Sequence, residues 1–260
     1  YLAEAVYGDP ALRLMKDLDL VVRPAGLRTA HRVLTGMGYA PHDEYGELET
    51  MLDGRLAIGS PSWQHQVVRS LHLPSYLKPG AKRVEIHWSV DVLGRAPRSR
   101  ELVSPFRIDM ERAWARSEEV RLGGAPVRAL ALDDLLLHLA THAAFNHCFN
   151  VSLKSVCDFA WLLRRRGGEV DWDRLAAAAR GQRADRFLLA ALWLARDLLG
   201  AEAPLERMDP DGSLERDADA LRAARRHVLR GAPRHSPEWQ ATRAPILRWV
   251  VEVSGYAGSD

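Results

Sequence analysis

The sequence predicts an α+β protein, with strands and helices mixed in the first half and helices alone in the second. Residues 14–22 form an apolar, strand-like run. Residues 83–90 alternate polar and apolar side chains with the period of two that is typical of a half-buried strand. From about residue 130, apolar residues recur instead at helical spacing. We therefore expect a mixed-sheet domain with flanking helices at 1–128 and a helical domain at 129–260.

Glycine and proline separate the elements of the first half. Gly8-Asp9-Pro10 ends a short N-terminal helix, Pro24-Ala25-Gly26 is a turn, and Gly38 ends the next helix. The alternation at 48–52 and 66–71 is weak, and we interpret both as strands. In chain order, the predicted elements are a helix at 1–7, a strand at 14–22, a helix at 27–37, strands at 48–52 and 66–71, and a strand at 83–90.

The second half is predicted to be helical because its apolar residues return every three or four positions. Asp133 and Asp134 lie in the first turn of the first of these helices, where their negative charges interact favourably with the positive end of the helix dipole. The predicted helices are 130–143, 151–165, 172–180, 184–199 and 214–230, with a loop at 201–213 and a last helix after Arg234.

The composition is ordinary for a soluble globular protein, with 47% hydrophobic and 27% charged residues. A net charge of +2 makes no strong electrostatic case for nucleic acid. Cys148 and Cys157 are off the spacing that brings helical residues together, so we expect no disulfide and a reducing cytoplasm. No apolar run reaches the length of a membrane span, and no basic leader of a signal peptide is present.

The first strand carries two carboxylates two residues apart. Asp17 and Asp19 project from one face of an extended strand, while Leu18, Leu20 and Val22 face the other way, into the expected core. Adjacent carboxylates repel, which favours a cation between them. Mg²⁺ or Mn²⁺ takes oxygen ligands and keeps positions for phosphate oxygens. However, Asp-x-Asp is a common tripeptide, and most copies are solvated surface charges.

The strand at 83–90 offers a third carboxylate, Glu85, on its polar face. Its apolar face comprises Val84, Ile86, Trp88 and Val90, and its polar face comprises Arg83, Glu85, His87 and Ser89. If this strand lies beside the first, Glu85 converges with Asp17 and Asp19, which suits a two-metal phosphoryl-transfer site. The alternative is an exposed sheet face on which Arg83 and Glu85 are solvated charges.

Three histidines form a separate candidate group. His138 and His142 are four residues apart on a predicted helix, so they share a face and could ligate zinc together with His147. No glutamate follows His138, so the metalloprotease signature is absent. A packed or substrate-facing pair is therefore favoured over zinc.

Charged side chains near the strands and helices could contact phosphate. Lys154 and Asp158 are four residues apart, which fits a surface salt bridge or a lysine that touches a triphosphate. Arg13, four residues before Asp17, could reach a phosphate bidentately. The sequence has no Walker A motif and no dinucleotide-binding glycine fingerprint.

Taken in order, these segments resemble the uncharacterised nucleotidyltransferase family of bacteria, a branch of the DNA polymerase beta-like nucleotidyltransferase superfamily. The resemblance covers residues 1 to about 200. The motifs that carry it are Tyr7-Gly8-Asp9-Pro10, then Arg13, Lys16 and Asp17-Leu18-Asp19-Leu20-Val21-Val22, then Gly38-Tyr39, Val84-Glu85-Ile86-His87-Trp88, residues 132–143, and Lys154 with Asp158.

The resemblance implies a polymerase-beta-like mixed-sheet catalytic domain followed by helices. It implies that Asp17, Asp19 and Glu85 bind two divalent ions, Mg²⁺ or Mn²⁺, which hold a nucleoside triphosphate such as ATP. An acceptor hydroxyl attacks the α-phosphorus and pyrophosphate leaves, with Glu85 helping to deprotonate the hydroxyl. By the same resemblance, the residues that contact the nucleotide are Arg13, Lys16, His87, His138, His142, Lys154 and Asp158.

The resemblance does not fix the acceptor, which we expect to be a small molecule, a sugar or a peptide. A transfer RNA acceptor is less favoured because the charge is near neutral. The family usually has a Lys-Gly or Gly-Ser-like element before the first helix, where backbone N–H groups meet the triphosphate. Tyr1 follows the expected position of this element, so it lies upstream or is absent.

Two other hypotheses stay open from the sequence. The first is a non-catalytic nucleotide-binding or protein-interaction module that retains the fold. The second is a zinc hydrolase that uses His138, His142 and His147.

Overall fold

A computed structural model describes residues 1–53, 70–92, 94–95, 102–103, 108–149, 153–230 and 236–254. The chain divides into two compact units. Leu14–Ser104 form the sheet unit, and Tyr1–Arg13 together with Pro105–Asp260 form the helical unit. The predicted boundary between a catalytic and a helical domain at residues 128 and 129 stays a prediction.

The sheet unit is built on a five-stranded mixed sheet, which confirms the predicted α+β class. The strands are β1 (Asp17–Val21), β2 (Ala40–Pro41), β3 (Ser70–His72), β4 (Tyr76–Leu77) and β5 (Arg83–Val92). The long strand β5 pairs in parallel with β1 and antiparallel with β3 and β4, and β4 continues to β2. A separate antiparallel pair comprises β6 (Gly94–Arg95) and β7 (Leu102–Val103).

The core of the sheet unit lies between β5 and two helices, α1 (Leu27–Gly36) and α2 (Leu48–Leu52). Its buried residues are Leu27, Leu34, Met51, Leu52, Leu73, Tyr76, Val84 and Ile86. Trp88 packs against this cluster, and Val90 is also buried. The predicted apolar face of the strand at 83–90 is therefore confirmed.

The prediction of a strand at 48–52 is wrong, because these residues form helix α2. The Asp43 carboxylate accepts hydrogen bonds from the backbone N–H groups of Glu47 and Leu48, at 3.2 and 3.1 Å. These bonds satisfy donors at the helix start that have no partner inside the helix. Met51 then follows Leu48 at helical spacing and is buried in the core. Most of the strand predicted at 66–71 lies outside the described residues.

The apolar side of β1 also differs from the prediction. Leu18 and Leu20 are 42% and 39% exposed, whereas Val22 packs against the core. Among the described strands, β1 pairs only with β5 and ends the strand order. The core formed with α1 and α2 covers β5 but does not include Leu18 or Leu20. The prediction that these two leucines face a core is therefore wrong.

The helical unit confirms the helices predicted for the second half. Its helices are α3 (Met110–Arg116), α4 (Leu132–Thr141), α5 (Leu153–Arg166), α6 (Trp172–Gly181), α7 (Asp185–Leu199), α8 (Leu205–Met208), α9 (Ser213–Arg216), α10 (Ala218–Arg230) and α11 (Pro237–Ser254). Helix α7 is buried along most of its length, including the consecutive residues Phe187–Leu192, so it forms the centre of the unit. A π-helical turn at Leu2–Val6 corresponds to the predicted N-terminal helix.

Some local features of the helical unit were not predicted. β8 (Glu118–Leu122) and β9 (Ala125–Ala129) form a hairpin whose turn, Gly123-Gly124, has positive φ at both residues. The predicted loop at 201–213 contains the short helix α8. In the described part of the chain, no helix has both the length and the apolar character needed to cross a membrane.

Candidate functional site

The parallel pairing of β1 with β5 brings acidic and imidazole side chains together on one face of the sheet. In this register Asp17 lies opposite Arg83, Asp19 opposite Glu85, and Val21 opposite His87. One ligand atom from each of Asp19, Glu85 and His87 lies within 4.8 Å of the other two. We call these three side chains the Asp-Glu-His group. Among the described residues, this group meets the requirement of three or more acidic, histidine or cysteine side chains that could share a metal ion.

The ring of His87 is the buried member of this group, with a side chain only 10% exposed. Its Nε2 atom lies 3.4 Å from Asp19 Oδ1 and 4.0 Å from Glu85 Oε2. This nitrogen is buried and forms no hydrogen bond with any described residue. A buried polar atom without a partner is unfavourable, and a cation shared with two carboxylates would satisfy it. These residues therefore fit a divalent metal ion.

Asp17 lies on the same face but outside the Asp-Glu-His group. Its Oδ2 accepts a hydrogen bond of 2.7 Å from Arg83 Nη2, and Arg83 Nε lies 3.2 Å from Glu85 Oε1. The bond to Asp17 holds the pKa of the Arg83 guanidinium above its ordinary value. Arg83 thus places a fixed positive charge between the two carboxylates. Lys16 is exposed immediately before β1.

Residues of β3 and of the segment before β4 support the group. Ser75 Oγ donates a hydrogen bond of 2.9 Å to Glu85 Oε1. The ring of His72 lies 5.2 Å from that of His87, and its Nδ1 contacts the Leu73 carbonyl oxygen. Burial lowers the pKa of His72, and nearby His87 acts in the same direction. Sequence reasoning missed Ser75 and His72 because their place depends on antiparallel pairing with β5.

In the helical unit, the structure joins Arg13 to Asp158. Arg13 Nε and Nη2 donate to the two carboxylate oxygens at 2.7 and 2.8 Å, and the Tyr7 hydroxyl donates to Oδ1 at 2.9 Å. Asp158 is buried, and burial together with the carboxylate raises the pKa of Tyr7 above its ordinary value. Lys154, the predicted partner of Asp158, is exposed on α5.

The predicted histidine group lies where α4 passes into a π-helical turn, His142–Asn146. His142 Nε2 is 3.0 Å from His147 Nε2, and the rings of His138 and His142 are 5.7 Å apart. A π-helical turn hydrogen-bonds residues five apart, which explains why His142 and His147 meet. Within the described residues these histidines do not form a three-ligand group, so the zinc-hydrolase hypothesis gains no support.

Comparison with known proteins agrees with the order of the motifs. The sequence model of a family described as "Uncharacterised nucleotidyltransferase" matches residues 1–200 of the 260. The matched range contains the Asp-Glu-His group and the Arg13–Asp158 pair. No curated protein and no solved structure matches the chain. Because the match covers most of the chain and confirms the resemblance of the motifs, the protein belongs to this uncharacterised nucleotidyltransferase family.

Proposed function

We propose that the protein is a divalent-metal-dependent nucleotidyltransferase. In this proposal it moves a nucleoside monophosphate from a nucleoside triphosphate to an acceptor hydroxyl on a small molecule, a sugar or a peptide, and pyrophosphate is released. One observation carries the proposal: Asp19, Glu85 and His87 converge on one face of the sheet in a chain of this family.

The side chains around the group have distinct proposed roles. When bound, a divalent ion supplies positive charge for the triphosphate oxygens and for the leaving pyrophosphate. Asp19, Glu85 and His87 hold that ion. Ser75 and Arg83 both contact Glu85 Oε1, which fixes the carboxylate and directs Oε2 toward His87. Such fixed groups need little reorganisation during the reaction.

The nucleotide-binding roles of the other motif residues stay proposals. Arg13 Nε and Nη2 both donate to the Asp158 carboxylate, so these two donors already have a partner. Lys16 and Lys154 are exposed cations that suit phosphate oxygens. The roles of His138 and His142 toward the nucleotide rest on the resemblance alone.

A non-catalytic nucleotide-binding or protein-interaction module is the second candidate. The Asp17–Arg83 ion pair favours it, because one carboxylate of the Asp-x-Asp pair is engaged by a guanidinium instead of the metal-ligand group. Binding of a nucleotide without transfer would be the mark of this alternative.

The test incubates the chain with each labelled nucleoside triphosphate, a divalent ion and acceptors of the three classes. We expect pyrophosphate release and a labelled acceptor, and a loss of at least about 100-fold in Asp19→Asn, the scale of removing an electrostatic group from a reacting centre. The control is Glu44→Gln, an exposed acid of the same unit that pairs with His42. Transfer that is unchanged in Asp19→Asn would contradict the proposal.

A further inference from the structure

We propose that the chain itself binds one divalent ion on the Asp-Glu-His group, and that the nitrogen of His87 makes this site prefer Mn²⁺ to Mg²⁺. Arg83 takes the place that a second ion would occupy beside Asp17. This inference rests on the proposed function, which requires a metal at the same face of the sheet, but it differs from the two-ion arrangement that the sequence predicts.

The first step is the position of the His87 nitrogen. Nε2 is buried, forms no hydrogen bond with a described residue, and points at carboxylate oxygens 3.4 and 4.0 Å away. Ligand atoms that share one ion at ordinary bond lengths of about 2.1 Å lie about 3.0–3.5 Å apart in octahedral or tetrahedral arrangement. The His87–Asp19 spacing of 3.4 Å falls in this range, and all three ligand atoms lie within 4.8 Å of one another, so the side chains would draw together to complete the ligand set.

The second step is the division of the Glu85 oxygens between two kinds of partner. Oε1 receives the hydrogen bond from Ser75 and lies 3.2 Å from Arg83 Nε. Oε2 is the oxygen nearer to His87. A carboxylate that is fixed through one oxygen presents the other in a defined direction, as the outer partners of metal ligands commonly do. Glu85 therefore contributes one oxygen to the ion.

The third step is the charge at Asp17. The guanidinium of Arg83 cannot lose its proton at any ordinary pH, and it lies 2.7 Å from Asp17 Oδ2. A second cation at Asp17 would meet this fixed positive charge at short range, and Arg83 already neutralises the carboxylate. Asp17 thus acts through Arg83 as a positioning residue for Glu85.

The ligand set then determines the preferred metal. Mg²⁺ prefers oxygen ligands in nearly ideal octahedral geometry, whereas an imidazole nitrogen suits first-row transition ions better. Mn²⁺ accepts both carboxylate oxygens and an imidazole nitrogen. The group of two oxygens and one nitrogen therefore favours Mn²⁺ over Mg²⁺, which is the comparison that the inference makes.

The test titrates the metal-free full chain with Mn²⁺ and follows the free ion by electron paramagnetic resonance. We expect one bound Mn²⁺ per chain without nucleotide, and Mg²⁺ as a competitor at least about tenfold weaker. Pulsed measurements on bound Mn²⁺ report directly whether a nitrogen is coordinated. We expect that nitrogen signal in the unmodified chain, so this readout does not depend on the folding of any variant.

Variants then assign the signal. His87→Gln is expected to lose the nitrogen signal and at least about tenfold in Mn²⁺ affinity, while His42→Gln, a matched exposed histidine of the same unit, keeps both. Arg83→Gln is expected to admit a second Mn²⁺. Two ions on the unmodified chain, bound Mn²⁺ without nitrogen coupling, or no Mn²⁺ binding would each overturn the inference. Metal binding as expected without any nucleotide transfer would overturn the proposed function but not this inference.

Discussion

Removing one partner of the buried ion pair between Arg13 and Asp158 should lower the free energy of unfolding far more than removing one partner of an exposed pair of the same form. We expect Asp158→Ala to destabilise the helical unit by about 3–5 kcal/mol, the scale on which removal of one partner from a buried ion pair acts. The measurement is urea unfolding followed by circular dichroism. The free energies of unfolding of the variant and the unmodified chain are compared provided that the dependence of the free energy on urea concentration is the same for both.

The magnitude follows from the groups that the substitution deprives of a partner. The Asp158 side chain is 4% exposed and that of Arg13 is 14% exposed. The carboxylate accepts two hydrogen bonds from Arg13 and one from Tyr7. Removing it leaves a desolvated guanidinium that cannot deprotonate, and a phenol hydroxyl whose lost bond alone costs about 1–3 kcal/mol. Asp158→Asn keeps an oxygen for Tyr7, so its loss should be smaller than that of Asp158→Ala.

The matched control is the pair of Asp173 with Arg207, which is also bidentate and lies in the same unit. Its side chains are 75% and 55% exposed, so water replaces the lost contact and screens the remaining charge. Asp173→Ala should therefore cost much less than Asp158→Ala. Equal losses in the two alanine variants would refute the reasoning that burial sets the contribution of these pairs.

Three other expectations concern stability and reactivity. Gly26→Ala should destabilise by about 1–3 kcal/mol, because its Cβ would lie 2.9 Å from Val22 Cγ1. At Gly36 an added Cβ would meet nothing within 4 Å outside its own stretch of helix, so Gly36→Ala should stabilise by about 0.5–1 kcal/mol. If urea unfolding showed that both alanine variants stabilise or both destabilise the protein, this contrast would be contradicted. Burial in α10 holds the pKa of His227 below its ordinary value, so the unfolded state takes up the proton first. The free energy of unfolding is unaffected by the titration of His227 above about pH 6.5 and falls as the pH drops toward the lower pKa of the folded state. In His227→Gln the free energy of unfolding should fall less across this pH range. Burial also raises the pKa of the Cys148 thiol, so a thiol reagent should label it slowly in the native chain and rapidly in urea, and fast native labelling would show that the site is open.

Alternation predicted which side chains of β5 enter the core of the sheet unit, although His87 and Ser89 on the opposite face are buried as well. Val84 and Ile86 are buried in that core, and Glu85 lies on the opposite face, as a period of two requires. The same argument failed for β1, where Leu18 and Leu20 are exposed. Periodicity shows which side chains share a face, but the face is buried only where another element covers it.

Contacts made by irregular backbone could not be predicted from the sequence. His142 and His147 meet because the chain leaves the α-helical register for a π-helical turn, and the two residues that follow, Cys148 and Phe149, have φ of 47° and 56°. Helical spacing pairs residues three or four apart, so it placed His138 and His142 on one face but gave no reason for a contact between His142 and His147. The bond between Arg13 and Asp158 spans 145 positions, and only the fold brings it about.

The register between β1 and β5 determines what the Asp-x-Asp pair can do. A slip of one residue would turn Asp17 and Asp19 to the other face, and the alternation of polar and apolar residues disfavours it. A slip of two residues keeps the faces unchanged, so the pattern does not exclude it. In that register Asp17 would lie opposite Glu85, and Arg83 would have no carboxylate opposite it. The observed register instead places Arg83 opposite Asp17 and Glu85 opposite Asp19. It therefore brings Asp19 and Glu85 together with His87 and pairs Asp17 with Arg83, a grouping that the alternation of polar and apolar residues alone did not determine.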